Sequence, residues 1–399
     1  MEMKKYKLGE IANFVEERIS SEDISLDEYV TTDSLLQNKK GRVMAQNLPP
    51  KKCSLTYYKK GDVLIGNIRP YLKKIWLADT SGGCSQDVLV FRSKKDSDSE
   101  FLYATLMQDD FFDYVMKATK GSKMPRGDKN HIMHFICFDV KNKNKIGELF
   151  SSLDKKIALN SRINSRLEQM AKRLYEHYFV QFDFPTEDGK PYKTSGGKMV
   201  YSSELKREIP EGWEVGNLYE IADYINGLAC QNYRPKENED YLPVIKIREM
   251  NDGISGDTEK VSANIPEKYK IKDGDILFSW SASLEVIIWN GGKGGLNQHI
   301  FKVVPKGYFS KEYVYQQLSK YVINFQKQAE ARKTTMGHIT SEHIKQSRVL
   351  LPKKEVIESF TQKVKAMYQM QTNIQQESTR LTSLRDRLLP LLMNGQVSV

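Results

Sequence analysis

From Lys145 to Phe184 the chain reads KIGELFSSLDKKIALNSRINSRLEQMAKRLYEHYFVQFDF. Leu153, Ile157, Asn160, Asn164, Leu167, Ala171, Leu174 and Tyr178 recur at alternating steps of four and three. That spacing lays them along one seam of a helix, the seam a coiled coil buries. No proline or glycine interrupts Glu148 to Phe184, and Ser151 or Ser152 is a candidate N-cap. At ~1.5 Å per residue such a helix runs roughly 50 Å, longer than a small domain is wide. A rod of that length needs a partner. Asn160 and Asn164 would weaken the seam but fix its register and partner number.

The chain's own end supplies a candidate partner. Phe360, Val364, Met367, Gln371, Ile374, Ser378, Leu381, Arg385, Leu388 and Leu392 repeat the same step. Pro390 and Gly395, in LLPLLMNGQV, are expected to stop that second helix. Two unrelated amphipathic helices would show the same pattern, so pairing rests on what the rest of the chain does.

The rest of the chain repeats. LGEIANFV from Leu8 is answered by LYEIADYI from Leu218, and KKGDVLIGNIRPYLKKIWLAD from Lys59 by IKDGDILFSWSASLEVIIWNG from Ile271. SQDVLVFR pairs with NQHIFKVV, EFLYATL with EYVYQQL, and SKMPRGDKNHI with TTMGHITSEHI. Each half has short β-type runs between Gly- and Lys-rich turns, then a helical piece (Phe101 to Lys117, Tyr313 to Ala331), a loop and a long helix. The predicted fold is α+β: two similar globules separated by an antiparallel coiled coil of two long helices, with pseudo-twofold symmetry within one chain. The expected boundaries are 1–144 for the first globule, 145–184 for the central helix and 185–212 for a linker. Residues 213–354 make the second globule and 355–399 the C-terminal helix. Phe182 to Leu218, rich in Gly, Pro, Ser and Lys, reads as linker.

The 399 residues carry 61 basic against 51 acidic side chains, a formal charge of +10, which favours a polyanionic partner such as nucleic acid. The N-terminus lacks an apolar signal core and no apolar run approaches 18 residues, so export and membrane insertion are not expected. Cys53, Cys84, Cys137 and Cys230 form no CxxC pair, which suits a reduced cytoplasmic setting with inert thiols.

Basic residues gather at two places in the first half. Lys51, Lys52, Lys59, Lys60, Arg69, Lys73 and Lys74 stand against Asp62 alone; Lys117, Lys120, Lys123, Arg126 and Lys129 stand against Asp128. Tyr57, Tyr58 and Tyr71 interleave with the first cluster. Lys and Arg neutralise phosphates and read guanine edges. The competing reading is a set of solvated turns. The GSKMPRGDKN loop and its counterpart RKTTMGHITSE add hydroxyls and small residues that let a loop approach a phosphate backbone. DNA-binding candidates are Arg69, Lys73, Lys74, Lys123, Arg126 and Lys129 in the first half. In the second they are Lys246, Arg248, Ser281, Ser283, Arg332, Lys333, Thr334 and Thr335. The second half replaces Arg69, Lys73 and Lys74 with Ala282, Val286 and Ile287, so the halves are expected to read unlike sequences. Seam candidates for subunit contact are Leu153, Ile157, Leu167, Leu174, Val364, Ile374, Leu381 and Leu388.

Catalytic signatures are missing. No GxxxxGK[ST] loop, HExxH pair or cofactor-binding glycine loop occurs, and Asn47-Leu48-Pro49-Pro50 is not a methyltransferase tetrapeptide. His131 and His134 lack companions for a metal set. No catalytic residue and no metal ligand is assigned.

Taken together, the LFSSLDKKIALNSRINSRLEQMAKRLYEHYFVQFDFP segment, the FPTEDGKPYKTSGGKMVYSSELKREIPEGWEVGNL stretch, the terminal RLTSLRDRLLPLLMNGQV and the paired globules resemble the DNA-specificity (S) subunit of type I restriction–modification enzymes. The resemblance covers essentially the whole chain and implies two target-recognition domains, each reading half of a bipartite double-stranded DNA site. It also implies a non-catalytic subunit that holds two methyltransferase (M) subunits, which carry S-adenosylmethionine, and that is joined by restriction (R) subunits. Alternatives are a coiled-coil assembly scaffold with non-specific DNA affinity and a solitary nucleic-acid-processing enzyme.

Overall fold

A computed structural model describes residues 4–121, 123–281, 283–331 and 339–399. The chain forms two compact units, one of residues 1–162 with 377–399, the other of residues 163–376. The fold is α+β in both.

The first unit carries two four-stranded sheets. One is antiparallel throughout, in the order Ala12–Phe14, Val88–Ser93, Val63–Gly66, Ile75–Leu77. Its apolar face packs with Leu102, Leu106, Phe111 and Phe112 from the helices Ser99–Leu106 and Asp109–Lys117. The other sheet runs Arg18–Ser20, Ser54–Tyr58, Gly82–Cys84, Tyr29–Val30, with the last pair parallel.

The second unit repeats this plan in strand order and direction. Its antiparallel sheet is ordered Ala222–Asn226, Ile300–Pro305, Ile276–Ser279, Glu285–Ile288. Val63 pairs with Phe91 and Leu77; Ile276 pairs with Val303 and Ile288. In the second sheets Gly83 lies parallel to Tyr29, and Gly295 parallel to Val244. The repeats part company at a sheet edge: Arg18–Ser20 joins Ser54–Tyr58, whereas Lys260–Ser262 joins Tyr241–Ile245.

The central helix spans Lys143–Phe179 and the terminal helix Lys354–Met393. Every seam position named from the spacing is buried or half-buried. In the first unit Asp154 meets Arg385 at 2.8 Å, and Asn160, almost fully buried, donates to Glu377 at 2.8 Å and Ser378 at 3.1 Å. In the second unit Asn164 donates to Gln375 at 3.4 Å and Tyr178 meets Ser359 at 3.3 Å. Partner numbers fall as the central helix advances, so the pairing is antiparallel within each unit. Each core is completed by opposite ends of the two helices. Ile146 and Phe150 with Leu389, Leu392 and Met393 close the first. Tyr175, Tyr178 and Phe179 with Ile357, Phe360 and Val364 close the second.

Four local expectations are corrected. The central helix begins at Lys143, so Ser151 is not a cap; it lies inside the helix and donates to Glu100 at 2.6 Å. Pro390 does not stop the terminal helix. It forgoes one backbone bond near an end whose Leu389, Leu392 and Met393 are held by the core, and Gly395, at φ +66°, makes the stop. Phe101 to Lys117 is two helices rather than one. The expected linker is folded: Met199–Ser202 and Arg207–Pro210 form a hairpin, and Phe184 stacks on Tyr192 and Trp213 in the second core. Its aromatic residues outweigh its Gly- and Lys-rich composition.

Candidate nucleic-acid interface

In the first unit the Arg69 end of the first basic cluster meets the loop that carries the second. The turn between Val63–Gly66 and Ile75–Leu77 contains a short 3-10 helix, Pro70–Leu72, flanked by Arg69 at φ +53° and Lys73 at φ +49°. The Gly121–Asn130 loop is zipped onto it. Arg69 N–H donates to the Pro125 carbonyl at 2.8 Å, and Gly127 N–H to Asn67 Oδ1 at 3.1 Å. Lys120 and Arg126 exchange both backbone hydrogen bonds at 3.0 Å. A Cβ on Gly127 would fall 2.7 Å from Val115 Cγ1 and 2.9 Å from Asn67 Oδ1, so only glycine allows this approach.

Two acids, one of them from outside the loop, hold it in place. Asp87 pairs with Arg126 at 2.9 Å, leaving the guanidinium more than half exposed. Asp128 accepts from the His131 backbone N–H at 3.0 Å and pairs with Lys120 at 2.9 Å; the N–H first, then the ammonium, hold its pKa down at about 2. Arg69 and Lys123 are exposed and have no ion pair among the described residues. Tyr71 and Met124 stand half-exposed beside them in sequence. The surface thus offers cationic donors on a rigid backbone, with an aromatic ring alongside, which is what phosphate and base-edge contacts need.

Other candidates are already engaged. Lys73 pairs with Asp109 at 2.8 Å. The Lys74 ammonium donates to the Thr32 carbonyl, and partial burial lowers its pKa. Lys129 lies over the Phe14 ring at 5.7 Å. In the second unit Lys246 pairs with Glu259, and Arg248 pairs with buried Glu249 at 2.7 Å and with Asp257 at 3.3 Å. Ser281 is buried and Ser283 exposed. The turn that holds them is pinned by buried Ser279, which accepts from Glu285 N–H at 3.0 Å. Ile339 N–H donates to the Trp280 carbonyl at 3.0 Å, tying the following segment to that turn much as Pro125 ties to Arg69. Arg332, Lys333, Thr334 and Thr335 lie outside the described residues. Spacing alone did not single out Asn67, which lies in the turn itself, or Asp87 and Asp109, which shape the first surface from elsewhere in the chain.

The described residues contain no cluster of His, Cys, Asp or Glu able to hold a metal ion. His131 is stacked on Tyr114 at 4.1 Å. Burial pushes the Cys84 and Cys137 thiols up to about 12. No helix among the described residues is long and apolar enough to cross a membrane.

The sequence profile of the type I restriction modification DNA specificity domain matches residues 1–169 and 210–382, one match for each half of the repeat. The chain belongs to this family. As a type I specificity subunit it serves DNA sequence recognition and is itself non-catalytic. It is 23% identical to the type I restriction enzyme HindI specificity subunit of Haemophilus influenzae, an alignment covering 99% of each chain. It is 22% identical to the MjaIX specificity subunit of Methanocaldococcus jannaschii, over 88% of this chain and 80% of that one. The crystal structure of the type I restriction–modification S subunit from M. genitalium shares its fold, with a TM-score of 0.57 at 13% identity over 98% of this chain and 96% of that one. Each of the two matches covers one copy of the duplicated pair of sheets.

Proposed function

We propose that this specificity subunit reads a bipartite double-stranded DNA site, each unit addressing one half, and that the paired helices set the gap between the halves. The observation that carries this reading is the backbone pairing of the turn that carries exposed Arg69 with the loop that carries exposed Lys123 and Arg126, in a unit whose topology occurs twice. The non-exposed seam, antiparallel within each unit, supports the spacer role. In this reading the subunit works in the cytoplasm with two methyltransferase subunits, which bring S-adenosylmethionine, and with restriction subunits. Its own residues bind and orient DNA.

Selection from a random duplex library, with the methyltransferase subunit present, is expected to enrich one split motif. Lys123→Ala with Arg126→Ala should weaken selection at one half only and lower the salt slope of binding by roughly two if both side chains meet phosphates. Equal binding to every duplex would refute sequence reading. A loss spread over both halves would refute the placement of this surface.

A further inference from the structure

The first recognition turn is strained, and the strain has an identifiable source of support. Asn38 and Lys39 stand at φ +56° and +60°, Arg69 at +53° and Lys73 at +49°. None is glycine, and such conformations persist only where the surroundings over-determine them. All four belong to one hydrogen-bonded cluster. Asn38 N–H donates to the Leu72 carbonyl and Lys39 N–H to the Lys73 carbonyl, both at 2.9 Å, while Lys73 N–H closes the 3-10 turn on Pro70.

Two side chains clamp this cluster. The Asp109 carboxylate takes the Lys39 ammonium at 2.7 Å and the Lys73 ammonium at 2.8 Å on the same oxygen. Burial opposes its charge, but the two ammonium groups outweigh that and hold its pKa below the ordinary carboxylate value. From the other side Arg385 of the terminal helix, 2% exposed, donates to the Lys39 carbonyl at 3.2 Å and to Asp154 at 2.8 Å. Asp154 also accepts from the buried Tyr103 hydroxyl. A polar path therefore runs from the helix pair, through Lys39 and Asp109, to the backbone that presents Arg69.

We propose that Asp109 and Arg385 are positioning residues for sequence readout by the first recognition domain. They hold the Arg69–Lys73 turn in its left-handed form without themselves meeting DNA. The proposal rests on the DNA-reading function above. It makes the C-terminal helix a structural part of the first reading surface, although the two are more than 300 positions apart in sequence.

The test is library selection on the full-length chain with its methyltransferase subunit, comparing wild type, Asp109→Asn and Asp109→Glu. Asp109→Asn removes the charge that draws both ammonium groups together. It is expected to cut base discrimination about tenfold in the half weakened by Lys123→Ala with Arg126→Ala, leaving the other half and the gap length unchanged. Asp109→Glu, which keeps the charge, is expected to recover much of the loss. Thermal unfolding of each variant measures any general loss of stability. Unchanged discrimination in Asp109→Asn overturns the positioning role, as does equal loss in both halves. A wild-type chain that enriches no split motif overturns the DNA-reading function itself, so the two failures are distinct.

Discussion

Arg385→Met tests the buried polar junction of the first unit. The wild-type guanidinium is 2% exposed and meets Asp154, whose side chain is 19% exposed, at 2.8 Å. Methionine keeps much of the volume but removes every donor. Among the described residues Asp154 keeps only the Tyr103 hydroxyl, and the Lys39 carbonyl loses a partner. Breaking a buried pair from one side costs about 3 to 5 kcal/mol, because the remaining charge stays desolvated. Replacing both members with apolar groups is far cheaper, so Arg385→Met with Asp154→Leu is expected to be at least ~1.5 kcal/mol more stable than the two single losses predict. Urea unfolding followed by pulsed hydrogen exchange, read on peptides of the first unit, measures all three variants. Losses that add to within ~0.5 kcal/mol would show that the pair is not coupled and refute the reasoning.

Two further perturbations probe local packing. Gly147→Ala would ordinarily favour a helix by about 1 kcal/mol. Here the new Cβ falls 2.5 Å from the Phe101 backbone nitrogen, so a net loss of about 1 to 3 kcal/mol is expected in urea unfolding; a gain would contradict the close approach. Asp128 has a folded-state pKa of about 2, below its unfolded value of about 3.9, so its contribution is complete above that value and lost as pH falls toward 2. The protection of amides in the Lys123–Asn130 loop, measured against the intrinsic exchange rate at each pH, should therefore fall on acidification through this window in wild type, and Asp128→Asn should show low protection with no such fall.

The long-range plan was legible because two periodicities are written directly into the chain. The four-three spacing placed its named residues on buried or half-buried positions of the two helices, and the matched halves correspond to two units of the same sheet order. The charge clusters were less informative. Seven basic residues from Lys51 to Lys74 have only Asp62 beside them in sequence, yet Lys52 pairs with Glu22, Lys59 with Glu17 and Lys73 with Asp109. Acids supplied by tertiary folding cannot be counted in a local window. For the same reason the spacing that placed Arg385 on the seam gave no sign of what it meets there. Its partners Asp154 and Lys39 come from other elements. The stretch around Phe184 and Trp213 was obscured by its average composition, whereas a few aromatic rings decide where it folds.

The spacer role of the paired helices is tested most directly by shortening them. Deleting seven residues within Leu153–Tyr178 and the matching seven from the terminal helix removes about 10 Å of rise, or about three base pairs of B-DNA. Library selection should then return both half-sites unaltered with a gap about three base pairs shorter. The same half-sites at the original gap would contradict the spacer role.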